Sequence, residues 1–237
     1  MQVLVYKDAE TIAKAAAAIF AGEITRKEGT VIGLATGSTP VPTYKELIRL
    51  NREGVLDFSK VISYNLDEYV GLKPDHPCSY RRFMNEQLFD HINIDKANTH
   101  VPDGIACNAA EYEQEIKAIG GVDLQLLGIG SDGHIGFNEP ADEFVYPTNI
   151  VKLTDQTIDD NARFFNNRDE VPKTAISMGI GTIMSAKRII LIATGKNKAR
   201  AIAAAINGPV APAMPASILR MHQNVQFLLD EDAASEL

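Results

Sequence analysis

Cysteine is scarce in this chain: Cys78 and Cys107 are the only thiols among 237 residues. Two cysteines build no disulfide framework, and their spacing matches no metal knuckle, so two reduced thiols in a cytoplasmic protein are expected. Basic residues are the minority, 23 against 31 acidic, for a formal net charge of −8. That balance argues against nucleic acid or an anionic membrane as the main partner. A small anionic ligand is still allowed, because a few local cations and backbone N–H groups can override an acidic total. No apolar run approaches the roughly 20 residues of a membrane span. The start, Met1-Gln2-Val3-Leu4-Val5-Tyr6-Lys7-Asp8, has no basic lead-in and reads as no secretory signal. With no low-complexity tract, repeat or linker either, residues 1–237 are expected to form one domain.

What is present is an alternation. Val3–Tyr6, Thr30–Ala35, Val61–Leu66, Val122–Leu127, Arg188–Ala193 and Val225–Leu229 read as apolar strands. Between them, Asp8 to about Lys27, Pro42–Leu50, Ser79–His91, Ala109–Ile119, Asp155–Phe164 and Ala199–Ile206 carry helical periodicity. Ser177–Ser185 is apolar but of undecided type, and Pro209–Pro215 is a loop. Strands alternating with helices predict an α/β fold, doubly wound, with a mostly parallel sheet and helices on both faces. In such a sheet the segments after four strands, Thr36–Pro40, Asp67–Tyr69, Ser131–Glu139 and Thr194–Lys198, lie along one edge, where ligands bind.

The densest of these clusters follows Val122–Leu127. Asp132, His134 and Glu139 fall within eight residues of a glycine-rich backbone. They read as an acid–base group, a metal site or a self-satisfied polar loop. Neighbouring carboxylates favour the imidazolium, and a zinc-like site normally has further His or Cys donors. Gly128-Ile129-Gly130-Ser131-Asp132-Gly133 mimics a dinucleotide fingerprint, yet Gly136 and Pro140 follow and no helix opens, so a nicotinamide is not expected. Gly37, Ser38 and Thr39 form a turn between strand and helix that suits a phosphate, or serves as a plain cap. Asp67 and Glu68 point to opposite faces if their strand persists, so only one need face a ligand. Arg163 and Lys198, ordinary solvated cations when taken singly, become candidates as company for a phosphate.

Thr36-Gly37-Ser38-Thr39-Pro40, Leu66-Asp67-Glu68-Tyr69-Val70-Gly71-Leu72 and Asp132-Gly133-His134-Ile135-Gly136-Phe137-Asn138-Glu139-Pro140 together resemble the glucosamine-6-phosphate deaminase family. The resemblance extends to Arg163-Phe164-Phe165 and Val171-Pro172-Lys173. It implies a doubly wound α/β domain that isomerises and deaminates D-glucosamine 6-phosphate to D-fructose 6-phosphate and ammonia, with no cofactor and no metal. By resemblance, His134 is the ring-opening base, oriented by Asp132 and Glu139, and Asp67 moves the proton from C2 to C1. Gly37, Ser38, Thr39, Arg163 and Lys198 then hold the phosphate. The partner is the small-molecule substrate, and the chain is a monomer or small homo-oligomer. Other readings are a related sugar-phosphate isomerase or lactonase, and a non-catalytic sugar-phosphate sensor, which would normally carry a DNA-binding segment. One departure stands out. Tyr146-Pro147-Thr148-Asn149-Ile150-Val151 holds no cation before Lys152, and the chain stops soon after Leu229. Larger members use basic residues after Asn-Glu-Pro to bind N-acetylglucosamine 6-phosphate, so no such activation is expected.

Overall fold

A computed structural model describes residues 1–237. In chain order, β1 (Gln2–Tyr6) leads into α1 (Ala9–Arg26), β2 (Val31–Leu34), α2 (Val41–Arg52), β3 (Ile62–Asn65) and β4 (Asp67–Tyr69). Then follow α3 (Tyr80–Gln87), β5 (Thr99–His100), α4 (Ala109–Ala118), β6 (Leu124–Leu127), β7 (Asn149–Lys152), α5 (Asp155–Asn161) and β8 (Thr174–Ser177). The chain ends with α6 (Ile180–Met184), β9 (Arg188–Ala193), α7 (Ala199–Asn207) and β10 (Val225–Asp230). Local chemistry sets several starts. Asp8 caps α1 by accepting from the Thr11 N–H at 2.8 Å, and Ser79 caps α3 by accepting from the Arg81 N–H at 3.1 Å.

Seven strands form one wholly parallel sheet in the order β1-β10-β9-β6-β2-β3-β5. Every residue of β2 and β6 is buried, as expected where helices flank the sheet on both sides. The chain leaves β2 toward β3 on one side and β6 toward β9 on the other, so β2 and β6 flank the topological switch point. Their pairing is brief, Ile32 with Leu124 and Gly33 with Gln125. Where it stops, the buried Gln125 side chain donates to its neighbour's carbonyl, Leu126 O, at 2.8 Å.

Four of the expected segments change. Asp67–Tyr69 does not prolong β3. The Leu66 carbonyl takes the Met178 N–H at 2.7 Å, and the chain turns into a second, antiparallel sheet ordered β4-β8-β7. The undecided stretch from Ser177 splits into the end of β8 and the short helix α6. The helices expected over Asp155–Phe164 and Ser79–His91 each end early and tighten into 3₁₀ turns, Ala162–Phe164 and Phe89–His91. Both cysteines are free, and no helix is long and apolar enough to cross a membrane.

The main core lies around the large sheet. A satellite core of Tyr69, Phe137, Leu153, Ile158, Val171 and Ala175 lies around the small one. The segment before α4 presses on β4: a Cβ on Gly104 would stand 2.1 Å from the Tyr69 carbonyl oxygen, while the Gly71 N–H donates to the Gly104 carbonyl at 2.8 Å. Backbone cannot yield as a side-chain tip can. Gly104→Ala is therefore expected to cost about 1–3 kcal/mol, read as a lower midpoint at unchanged slope in urea unfolding.

Candidate active site

A cleft of about 600 Å³ opens at the carboxyl ends of β2, β6 and β9, with β4 forming part of its wall. All four of the strand-end segments contribute to it. Thr36, Gly37, Ser38 and Thr39 come from the end of β2, and Asp67 and Tyr69 from β4. Gly128 to Ser131, His134, Gly136 and Phe137 follow β6, while Asn197 and Lys198 follow β9. A further wall consists of Thr157, Asp160, Asn161, Arg163, Phe164 and Phe165, from α5 and the turn after it.

The loop after β6 is held from several directions. The Gly130 N–H donates to the His134 carbonyl at 2.9 Å, and the Ala216 N–H to the Gly133 carbonyl at 2.9 Å. Asn138 Nδ2 donates to the carbonyls of Ile135 and Met178 at 2.8 and 2.9 Å. Ser177 Oγ accepts from the Phe137 N–H at 3.1 Å. Ser177 is also the ladder partner of Asp67, so one residue ties the acid–base loop to the strand carrying the other acid. No helix opens after Gly133, which leaves the glycine pattern without a dinucleotide site.

Of the three ionisable groups on that loop, only His134 lines the cleft. Its Nδ1 is buried against Asp132 Oδ1 at 2.8 Å and Glu139 Oε2 at 3.6 Å, as charge contacts rather than aligned hydrogen bonds. Asp132 and Glu139 stand behind the ring and do not line the cleft. Nε2 is therefore the nitrogen left for chemistry. Burial alone would lower the His134 pKa, but the two carboxylates outweigh it and raise it to about 9. For Asp132, burial opposes ionisation and the imidazolium overrides it, leaving the carboxyl well below its usual range. The ligand atoms of Asp132, His134 and Glu139 lie within 4.8 Å of one another, close enough to share one cation. The imidazole's own proton supplies such a charge, since both carboxylates face the same nitrogen.

Asp67 sits across the cleft under opposite conditions. Burial, reinforced by the neighbouring Glu68 charge and only partly offset by His134, pushes its pKa up to about 7. Glu68 turns away from the cleft, so the two adjacent acids do face opposite sides. Beside them, Gly37 has a φ of 87°, open to glycine at no steric cost. No protein group accepts from the N–H of Gly37, Ser38 or Thr39. Three donors at the start of α2 are thus without a protein acceptor, an arrangement that suits an anion. Lys198 is half-buried with its pKa lowered by burial, an effect that Asp160 and Asp132 oppose and Arg163 reinforces. Arg163 is exposed, its guanidinium 4.7 Å from the Phe164 ring centre.

Sequence patterns do not point to the aromatic wall of Tyr69, Tyr80, Phe137 and Phe165, whose ring centres lie 4.9–6.1 Å apart. Its members come from separate segments with no shared spacing. Asp142–Pro147 is fastened away from the cleft, since the carbonyls of Val145 and Tyr146 accept from the Ile180 and Gly181 N–H groups at 2.8 and 2.9 Å. Asn166–Val171 leads out of the α5 wall rather than lining the cleft.

Fold and site define a doubly wound α/β protein with an anion-ready, acid–base cleft at its switch point. A family model described as glucosamine-6-phosphate isomerases/6-phosphogluconolactonase matches residues 6–228, and the chain belongs to that family. Glucosamine-6-phosphate deaminase from Clostridium perfringens (strain SM101 / Type A) is 54% identical over the whole of both chains. The deaminase of Shewanella woodyi is 52% identical over all of this chain and 91% of its own. A solved structure described as a monomeric glucosamine-6-phosphate deaminase matches over the full length of both chains, with a TM-score of 0.97 and 43% identity. A 6-phosphogluconolactonase from Trypanosoma cruzi, at 22% identity and a TM-score of 0.76 over 100% of this chain and 96% of its own, shares the fold.

The raised His134 value carries a testable consequence. Because it lies above the ordinary 6.5, the imidazolium adds stability in full below about 6.5 and loses it as pH rises through about 9. Histidine-detected NMR should find His134 titrating near 9, and Asp132→Asn should bring the midpoint down toward 6.5.

Proposed function

We propose that this protein converts D-glucosamine 6-phosphate and water to D-fructose 6-phosphate and ammonia. The observation that carries this reading is the pair of oppositely tuned groups across one cleft. His134 is held as a cation, and Asp67 is a buried carboxyl poised near neutrality. The 52–54% identity to full-length deaminases supports it independently.

The chemistry assigns each group a task. Phosphate sits at the N–H groups of Gly37, Ser38 and Thr39, with Lys198 and Arg163 as countercharges. Ring opening moves one proton from the anomeric hydroxyl to the ring oxygen as the bond from C1 to that oxygen breaks. His134 donates to the ring oxygen and takes the hydroxyl proton in turn, ending in the charge state in which it began. Asp132 and Glu139 keep it in that state and set its orientation. The open sugar has a C1 carbonyl beside an acidic C2–H. Asp67 takes the C2 proton as the C1 carbonyl oxygen gains a proton, giving an enolamine. It returns the proton to C1 as the amine nitrogen gives one up, leaving a hydroxymethyl group at C1 and an imine at C2. The proton lost from nitrogen balances the one gained by the C1 oxygen. Water adds there, and ammonia leaves. An ordinary aspartate, with a pKa of about 3.9, is a poor base for this step, whereas one near 7 matches the working pH.

The structural neighbour described as monomeric supports action as a monomer or small homo-oligomer. We place the protein in the cytoplasm, where a phosphorylated sugar is retained.

Incubation with glucosamine 6-phosphate, with no nucleotide or metal added, should release ammonia and fructose 6-phosphate in equal amounts. Asp67→Asn should lower kcat by about 10²–10⁴-fold with KM little changed. No ammonia from the wild-type protein overturns the assignment. Because Tyr146–Val151 holds no cation, velocity should rise hyperbolically with substrate and ignore added N-acetylglucosamine 6-phosphate. A sigmoidal curve that the effector straightens contradicts this.

A further inference from the structure

Glu68 is buried beside Asp67 in β4, yet it does not line the cleft that Asp67 lines. Its carboxylate accepts four hydrogen bonds. The Tyr69 and Tyr80 N–H groups donate to Oε1 at 2.9 and 3.0 Å, and Ser79 Oγ and the Arg81 N–H donate to Oε2 at 2.8 and 3.0 Å. All four donors are neutral. The Arg81 guanidinium, which feels the Glu68 charge, makes its hydrogen bonds to Thr99 instead, donating to Oγ1 and the carbonyl at 2.8 and 2.7 Å. The carboxylate is thus locked on the first turn of α3, and no cationic group is hydrogen-bonded to it.

Resting on the deaminase reading, we propose that Glu68 is a positioning residue for Asp67: it fixes the strand against α3 and holds a negative charge, bonded only by neutral donors, next in sequence to the proton-carrying carboxyl. The groups facing Asp67 make the case specific. Tyr44 from α2, Tyr69 from its own strand, Tyr80 from α3 and Tyr112 from α4 are phenols that burial keeps neutral. His134, from the loop after β6, is the cation, and Glu68 is the counterweight to it. Without Glu68 burial alone would oppose the imidazolium, and Asp67 would shift toward ordinary carboxyl acidity, making it a weaker base.

The test is the ionisation of Asp67 itself, followed by ¹³C NMR of aspartate-labelled protein, with its signal assigned from Asp67→Asn. The wild-type midpoint should lie near 7 and fall by about one unit in Glu68→Gln. The acidic limb of kcat/KM should move by the same amount, while KM changes little. Ser79→Ala removes one tie but keeps the charge and should leave the midpoint in place. An unmoved midpoint in folded Glu68→Gln overturns the proposal. If that variant does not fold, a wild-type midpoint near 4 overturns it equally. Since the titration needs no turnover, a protein that releases no ammonia but shows the shift refutes the deaminase reading and spares this one.

Discussion

Everything at this site depends on two parallel strands parting. β2 and β6 pair over two residue positions and then separate, because the chain leaves them in opposite directions. A parallel sheet whose neighbours all continued the same way would cover its own carboxyl edge with crossovers. The reversal leaves a crevice there, floored by strand ends and walled by whatever follows each strand. Gly37 to Thr39 and Gly128 to His134 face each other only because β2 and β6 are sheet neighbours. The main core holds this arrangement rigid, so groups from distant stretches keep fixed distances without contacting one another.

The second sheet makes that crevice chemically asymmetric. β4 leaves the main sheet at Leu66 and pairs with β8, so Asp67 enters a buried wall instead of an open strand end. Burial makes its charge costly. On the other side, His134 is buried as well, yet two carboxylates reverse the effect and make its charge favourable. The same low-dielectric setting therefore pushes one group toward neutrality and the other toward ionisation, and the difference lies wholly in what stands behind each. Two groups titrating near 7 and near 9 can divide the proton transfers of one reaction between them.

The main sheet is readable from the chain because its strands are buried on both faces and appear as continuous apolar runs. Thr30–Ala35 and Arg188–Ala193 stand out for that reason, and the residues that end them identify most of the cleft. The second sheet is not readable. β7 alternates in burial over only four residues, β4 has three residues of which two are acidic, and β8 merges with the helix after it. Their pairing is set by tertiary contacts with no local period. For the same reason, Asp67 is visible as a motif residue while its environment is not. Asp132 and Glu139 carry the same motif signal as His134, yet stand behind it. Spacing places residues on a loop but does not say which of them turns toward the solvent-filled side.

The two cations at the cleft differ in how they are anchored, and the difference follows from the two cores. Lys198 precedes α7, whose Ala201, Ile202 and Ala205 belong to the main core, and the turn before it is pinned where Asp230 accepts from the Gly195 N–H at 2.9 and 3.0 Å. Arg163 lies beyond α5 on the small satellite core, with its guanidinium lying over an exposed ring. Segments on few buried contacts open at lower cost than those tied to a large core. In the function proposed above, a phosphate held by backbone N–H groups and Lys198 would therefore meet a rigid half-site first, and Arg163 would complete it from a wall that is easier to displace. The satellite core that carries this wall also contains Tyr69 and Phe137, next to Asp67 and on the His134 loop. Closure of the wall over a bound anion would thus press on the same aromatic contacts that keep water from the two proton-carrying groups.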